Sequence, residues 1–317
     1  MITLLCGGFG AARFLDGLRH RSGDLSCIVN TGDDFDYLGL RVCPDLDSVL
    51  YALAGCFDEV RGWGPLGDSF AANGALARYG DDWFHLGDRD LALSLERTSR
   101  LGEGRPLGAV TGELGEAWGV AARILPATDQ DVRTRIRVGR RWLGFQDFVV
   151  REQAAPPIAD IAYDGAARAA PAPGVLTAIE RADLVVIAPS NPVTSIGPIL
   201  AVPWVRQAIA GRRAPTVAVS PIVLNAEPST DAELTRCRLR AVVMEAVGLA
   251  HQPSAAASAY RDLIDGFVVD ERDFDEDGKV LAGFGLPVLA ADTLAEPGRR
   301  TELAEAVIEF GLALTQP

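Results

Sequence analysis

The chain has 317 residues, 48% of them hydrophobic, and a formal charge of −13. That is enough apolar material for a core in one large domain or two smaller ones. The acidic balance argues against a nucleic-acid partner, which needs clustered positive charge, and requires any phosphorylated ligand to be met locally by arginine, helix N-termini or a bound cation.

Taken in order, several short apolar runs each end in a polar or glycine-rich turn. MITLLC runs into GGFGAAR, SCIVN into TGDD, ADLVVIA into PSNPVTSIGP, PTVAVS into PIVLNAEP, GFVVD into ERD and LPVLA into ADT. Such runs read as strands buried on both faces. Helical patterns lie between many of them, among them AARFLDGLRH, LDSVLYALAG, PWVRQAIAG, TDAELTRCRLRAVVMEAV and RRTELAEAVIEFGLAL. The alternation predicts an α/β fold with a doubly wound, mostly parallel sheet, whose ligands bind beyond the carboxyl ends of the strands. Residues 60 to 170 break the rhythm with a helical stretch and shorter segments such as TRIRVGRRWLGFQDFVV. They predict an inserted, mainly helical subdomain over 61–170 that covers the crevice, with a core built from 1–60 and 171–317.

No apolar run approaches the roughly 20 residues of a membrane span, and MITLLC lacks the length and basic start of a secretory signal. The expected setting is cytoplasmic, with no membrane partner. Cys6, Cys27, Cys43, Cys56 and Cys237 form no C-x-x-C pair and read as buried small residues. Lys279, the only lysine, follows no Walker A spacing, which excludes P-loop chemistry and argues against a lysine Schiff base.

Four stretches carry candidate chemistry. In CGGFGAAR, Gly8 and Gly10 fit G-x-G, but Arg13 stands at the third glycine position. The turn either brings backbone N–H groups and Arg13 to a phosphate or is a plain strand-to-helix turn. In the second, Asp33 and Asp34 follow a strand, and Asp45 and Asp47 open the next helix behind Pro44. An N-cap explains one of these carboxylates and not four; together they suit a magnesium ion bridging to a substrate phosphate. The third group is Asp68, Asp88, Arg89 and Asp90 in GDSF and GDRD, either site residues or a salt-bridged corner. His85, beside Trp83 and Phe84, either contacts a heterocycle or is an ordinary half-buried residue. Fourth, Ser190, Asn191, Thr194 and Ser195 lie in a proline-stiffened loop suited to a base or phosphate. DFDEDG at 273–278 begins like an EF-hand, but the twelfth position is Phe284, and the segment reads as an exposed acidic turn.

Nine stretches in fixed order, including GGFGAARFLDGL, VNTGDDFDYLGLRVCPDLDSVLYALAG, GWGPLGDSF, WFHLGDRDLA and APSNPVTSIGPILAVPWVR, give the chain a resemblance over nearly its whole length. It resembles the 2-phospho-L-lactate transferase family of coenzyme F-420 biosynthesis. The resemblance implies a Rossmann-like sheet, a homodimer, magnesium, and transfer of a three-carbon phospho-acid from a guanosine diphosphate-linked donor to the deazaflavin Fo, releasing GMP. By motif position, Asp47 and His85 fall where family members contact the deazaflavin, His85 replacing a frequent lysine. Asp88 and Arg89 join that acceptor set. Gly7, Gly8, Ser190 and Asn191 fall in turns that hold the nucleotide, joined by Gly10, Arg13, Ser220 and Asn225. After SPIV the family's glycine-rich stretch is replaced by LNAEPSTDAELTRC, which leaves the acid open between phospholactate, enolpyruvate and phosphoglycerate.

On this basis Asp45, with Asp33 or Asp34, holds magnesium between the two phosphates, and Asp47 orients the attacking hydroxyl. Arg13 and Arg89 are candidate partners for donor oxygens. Two alternatives stand beside this: a non-catalytic regulatory relative that binds a nucleotide-sugar, and an NAD-dependent oxidoreductase suggested by the first glycine turn.

Overall fold

Alternation along the first strand sets the architecture. Ile2, Leu4 and Cys6 pack into one hydrophobic cluster and Leu5 into another on the opposite face, so the strand must be covered on both sides. The computed structural model describes residues 1–314. Its strands are β1 (Ile2–Cys6), β2 (Leu25–Val29), β3 (Phe35–Tyr37), β4 (Leu40–Val42), β5 (Arg123–Pro126), β6 (Arg133–Val138), β7 (Arg141–Gly144), β8 (Asp160–Asp164), β9 (Leu184–Ile187), β10 (Thr216–Val219), β11 (Gly266–Asp270) and β12 (Val288–Ala291). Its helices are α1 (Gly8–Asp16), α2 (Pro44–Leu53), α3 (Ala71–Leu76), α4 (Asp88–Gly102), α5 (Leu107–Ala117), α6 (Val175–Glu180), α7 (Gly197–Ala201), α8 (Val205–Ala210), α9 (Asp231–Ala246), α10 (Pro253–Ala259), α11 (Phe274–Gly283) and α12 (Arg300–Ala313).

Seven strands form a sheet in the order β12-β11-β10-β9-β1-β2-β5, every neighbouring pair parallel. Apolar residues of α1, α2, α5 and α12 cover one face, and those of α6 to α11 the other. The chain runs outward from β1 to β2 and β5, then returns to β9 on the other side of β1. The loops after β1 and β9 therefore diverge, and the crevice between them is where this topology places a ligand.

The expected doubly wound α/β sheet is present, and all six strands read from the sequence belong to it. The seventh, β5, lies inside the interval assigned to the insertion, so 61–170 is not all insertion. That interval also holds an antiparallel sheet, β7-β6-β8, beside its helices. This small sheet stands over the crevice: Thr134 N–H donates to the Gly32 carbonyl at 2.7 Å, and the Tyr163 hydroxyl donates to the Val193 carbonyl. DFDEDG is not an exposed turn. It opens α11, with Asp273 and Asp277 buried.

Close approach of α1 to the loop after β9 fixes the crevice floor. A Cβ on Gly10 would collide with the Pro189 carbonyl oxygen. Gly10→Ala is therefore expected to destabilise the protein by about 1–3 kcal/mol, read as a lower urea midpoint with an unchanged denaturant slope.

Candidate active site

The site begins with the turn after β1. Gly8 takes φ +73, and a Cβ on Gly7 would overlap the Asp45 carboxylate, so both positions need glycine. Asp45 lies in the first turn of α2, which opens on Pro44. Its Oδ1 accepts the Gly8 N–H at 2.8 Å, and its Oδ2 accepts from Asn30 Nδ2 at 2.8 Å. Asn30, at the end of β2, also donates to the Thr194 carbonyl at 3.2 Å and accepts the Gly32 N–H at 2.8 Å. One buried amide thus joins the loops after β2 and β9 to the start of α2, and through Asp45 to the turn after β1. Across the crevice, Gly7 N–H donates to Ser190 Oγ at 3.3 Å, and the Ser190 hydroxyl donates to the Gly7 carbonyl at 2.9 Å. Asn191 caps the following π-helical turn, accepting from the N–H groups of Val193 and Thr194.

Asp33, Asp34 and Asp45 are all buried. Oδ1 of Asp33 has no hydrogen-bond partner, and the Cys43 thiol is the one weak donor beside Asp34. Burial, with the Asp45 charge adding to it, pushes Asp33 well above the ordinary carboxylate range. Burial raises Asp34 to about 7 against the pull of Arg133, and Asp45 to about 6 against its bonds from Asn30 and Gly8. Buried carboxylates without donors await a cation or protons. Among the described residues, however, no group of three or more His, Cys, Asp or Glu side chains could hold a metal by itself. The expected three-carboxylate set of Asp33, Asp34 and Asp45 is thus not a closed cage. An open pair, Asp33 and Asp45, does suit magnesium, which ordinarily takes one or two carboxylates and completes its shell with water and substrate phosphate.

Two cavities meet here. One, of about 490 Å³, is lined by Gly7, Gly8, Gly10, Arg13, Asp45, Ser190, Asn191, Ser220 and the inner face of α9. The other, of about 590 Å³, is lined by Asp34, Phe35, Tyr37, Trp83, Arg133, Arg135 and Arg151. Asp33 and Phe145 line both. Phe35, Tyr37 and Trp83 form an aromatic group with ring centroids 5.6–6.4 Å apart, and the Arg151 guanidinium sits 3.9 Å from the Trp83 centroid.

The family description "2-phospho-L-lactate transferase CofD" matches residues 2–281. The chain belongs to this family. It is similar to the phosphoenolpyruvate transferases of Thermobifida fusca (40% identity, 99% of each chain), Streptomyces coelicolor (43%, 89% of this chain and 88% of that one) and Mycolicibacterium smegmatis (39%, 99% and 98%). The crystal structure of a UPF0052 family protein from Bacillus halodurans matches with a TM-score of 0.67 at 19% identity, over 97% of this chain and 98% of that one, a likeness of fold alone. The chain is therefore an enzyme, a transferase of the family that acts in coenzyme F-420 biosynthesis. No helix among the described residues is long and apolar enough to cross a membrane.

Within this transferase, Asp47, His85, Asp88 and Arg89, the residues expected at the acceptor, line neither of these two cavities. Asp47 forms a buried ion pair with Arg97, whose Nη1 lies 3.2 Å from Asp47 Oδ2, and it lines neither cavity. Residues two apart on a helix point about 200° apart, so Asp45 facing Gly8 obliges Asp47 to face away. His85 is exposed and lines neither cavity. Asp88 accepts from the Ala71 and Ala72 N–H groups and the Ser69 hydroxyl, and Asp68 accepts from the Arg89 and Asp90 N–H groups. GDSF and GDRD are thus reciprocal caps of α3 and α4 rather than a salt-bridged corner. Arg89 donates to the Leu66 carbonyl at 3.0 Å and stacks on Trp118, away from both cavities.

In the nucleotide set, Arg13 lines the cleft while donating to the Leu294 and Ala295 carbonyls at 3.0 and 3.1 Å. The Ser220 hydroxyl donates to the Ile222 carbonyl at 2.9 Å at the cavity wall. Asn225 does not line the cavity; its side chain donates to the Arg272 carbonyl at 3.1 Å, and its N–H and that of Leu224 are taken by Asp273 at 2.9 and 2.7 Å. Sequence reasoning missed Asn30, Phe145, Arg133, Arg135, Arg151 and the arginines of α9. Of these, Asn30 had a signal, an amide directly at a strand end in VNTGDD.

Two predictions follow from these placements. Asp47→Ala leaves Arg97 buried without its counter-ion and is expected to lower stability by about 3–5 kcal/mol, whereas joint replacement of Asp47 by Leu and Arg97 by Met largely restores it; calorimetric melting of the single and double variants checks this. The second concerns pH. Because Asp34 and Asp45 carry raised values in the fold against about 3.9 in the unfolded chain, the folded state holds more protons between those values. Their contribution is full below about pH 4 and is lost as pH rises through 6 to 7. The melting temperature of magnesium-free protein should therefore fall between pH 5 and pH 8, and added magnesium should raise it more at pH 8 than at pH 5.

Proposed function

We propose that this enzyme transfers an enolpyruvyl phosphate group from a guanosine diphosphate-linked donor to the terminal ribityl hydroxyl of the deazaflavin Fo, releasing GMP, as a cytoplasmic homodimer. The observation that carries the proposal is the meeting of two cavities at Asp33 and Phe145. Two substrates bound one in each cavity would approach each other beside these residues. The N–H groups that open α1 behind the glycine turn and the Asn191 side-chain amide offer donors to a diphosphate, and the group of Phe35, Tyr37 and Trp83 with its arginines suits a flat heteroaromatic ring. Enolpyruvate is favoured as the acid because the relatives named above, similar over most of their length, carry the name phosphoenolpyruvate transferase.

In this scheme the hydroxyl oxygen forms a bond to the phosphorus bearing the acid, and the bond from that phosphorus to the bridging oxygen of GMP breaks. Asp34, lining the acceptor cavity with only the Cys43 thiol as a weak donor beside it, accepts the hydroxyl proton. Its value near 7 matches a base working at neutral pH. Magnesium, held by Asp33 and Asp45, would neutralise charge on the diphosphate. The Gly8 N–H and Asn30 fix Asp45 before any ligand arrives, so little reorganisation accompanies the step. Asp34 takes the role first expected of Asp47, which Arg97 holds away from the cleft.

Turnover with Fo, magnesium and the enolpyruvyl donor, followed by product mass, tests the proposal. Asp34→Asn should lower kcat by about 100- to 10,000-fold with both KM values nearly unchanged. Asp45→Asn should shift the magnesium requirement upward. A wild-type rate with either variant, or transfer from none of the three guanylylated acids, would refute the proposal.

A further inference from the structure

Four arginines line the donor cavity, and three are already engaged. Arg13 donates to two carbonyls. Arg272 pairs with Asp270 at 2.8 Å and Asp292 at 3.0 Å. Arg236 lies 3.9 Å from the Phe9 ring centroid. Arg240 is different. It faces the cavity from α9, and among the described residues it has no ion pair and no carbonyl partner, only the Cys237 thiol beside it. Burial and the Arg240 charge both hold His251 below its usual range, as expected where a positive charge lacks a counter-ion. In a chain with 43 acidic against 30 basic residues, a partly buried guanidinium without a carboxylate is a vacancy for an anion.

Its place along the helix narrows the choice of anion. Leu239 packs against the cluster of Ile136, Phe145 and Phe148, and both Leu239 and Phe145 line the donor cavity. The C-terminal half of α9 thus approaches the wall that the two cavities share. The diphosphate is already offered the N–H groups that open α1 and the Asn191 side-chain amide, which line the same cavity. We propose that Arg240 binds the carboxylate of the donor's three-carbon acid and so determines that the enzyme takes an acid-bearing donor. A carboxylate matches the planar guanidinium fork in a two-point contact. The inference rests on the donor assignment above and names the side chain that would read it.

The test compares two ligands by calorimetry, without acceptor: the guanosine diphosphate-linked enolpyruvate and GDP, which has no carboxylate. Arg240→Met should weaken the acid-bearing donor about 10- to 100-fold while leaving GDP within twofold, and Arg240→Lys should recover part of the loss. In turnover the loss should appear in KM rather than kcat. The Arg240→Met melting temperature should hold or rise, because an uncompensated charge is removed. Equal weakening of both ligands would make Arg240 a phosphate contact, and a lowered melting temperature a structural residue; either overturns the proposal, as does unchanged affinity for both. Wild-type protein that binds neither ligand overturns this inference and the donor assignment together. If wild-type protein binds the donor but transfers nothing to Fo, only the acceptor assignment falls.

Discussion

The buried hydrogen bond from Asn30 to Asp45 is the constraint on which the crevice depends. A parallel sheet that reverses direction beside its first strand leaves a gap there, and nothing in the sheet ladder holds the diverging loops in register. Asn30 closes that gap with a single side chain: it reaches Asp45, the Thr194 carbonyl and the Gly32 N–H, so the loops after β2 and β9 and the start of α2 share one amide. Each of these partners is buried, and losing the amide would leave several polar groups unsatisfied at once. Glycine at position 7 belongs to the same arrangement, since any side chain there would displace the carboxylate that Asn30 positions. The rest of the site is oriented by this tie: the Gly8 N–H below Asp45, Ser190 bonded to Gly7, and Asp33 one residue beyond Gly32.

Charge is distributed to suit an anionic guest in an acidic protein. Arginines cluster where the two cavities open: Arg133, Arg135 and Arg151 around one, Arg13, Arg236, Arg240 and Arg272 around the other. Carboxylates stand among them, Asp36, Asp81, Asp147 and Asp164 around the first and Glu227, Glu233 and Glu296 around the second, so the walls are mixed in sign and an anion would be met by individual arginines rather than by a positive field. At the junction only acids remain, with Asp33, Asp34 and Asp45 buried together, and there a divalent cation arriving with a phosphate-bearing ligand would offset their charge.

Much of the scaffold was legible because doubly buried strands have few ways to be written. LVVI, TVAV and GFVVD are apolar on both faces and end at turns. β5 escaped because RILP is an edge strand: it begins with the exposed Arg123, ends in proline and is too short to stand out between helices. The site was legible in part. Asp45 could be picked out as a carboxylate at a strand-end loop, but its orientation could not be separated from that of Asp47, because the decisive partner, Arg97, is fifty residues away. The Asp68 and Asp88 pair misled for a related reason. Aspartates that cap one another's helices are as dense in sequence as aspartates that bind a ligand, and only tertiary placement tells them apart. The aromatic side chains around the second cavity come from β3 and from the loop before α4, which no local pattern joins.

The segment after β10 has no glycine between Leu224 and Cys237, and it is anchored: Asp273 takes the N–H groups of Leu224 and Asn225, and Asn225 holds the Arg272 carbonyl. Both attachment points lie in the one loop after β11, whereas Asn30, Asp45 and the glycine turn are fastened without it. The stretch can therefore be rewritten as a cassette without touching the Asn30–Asp45 tie, and a designer grafting it between homologues would need to move Asp273 along with it.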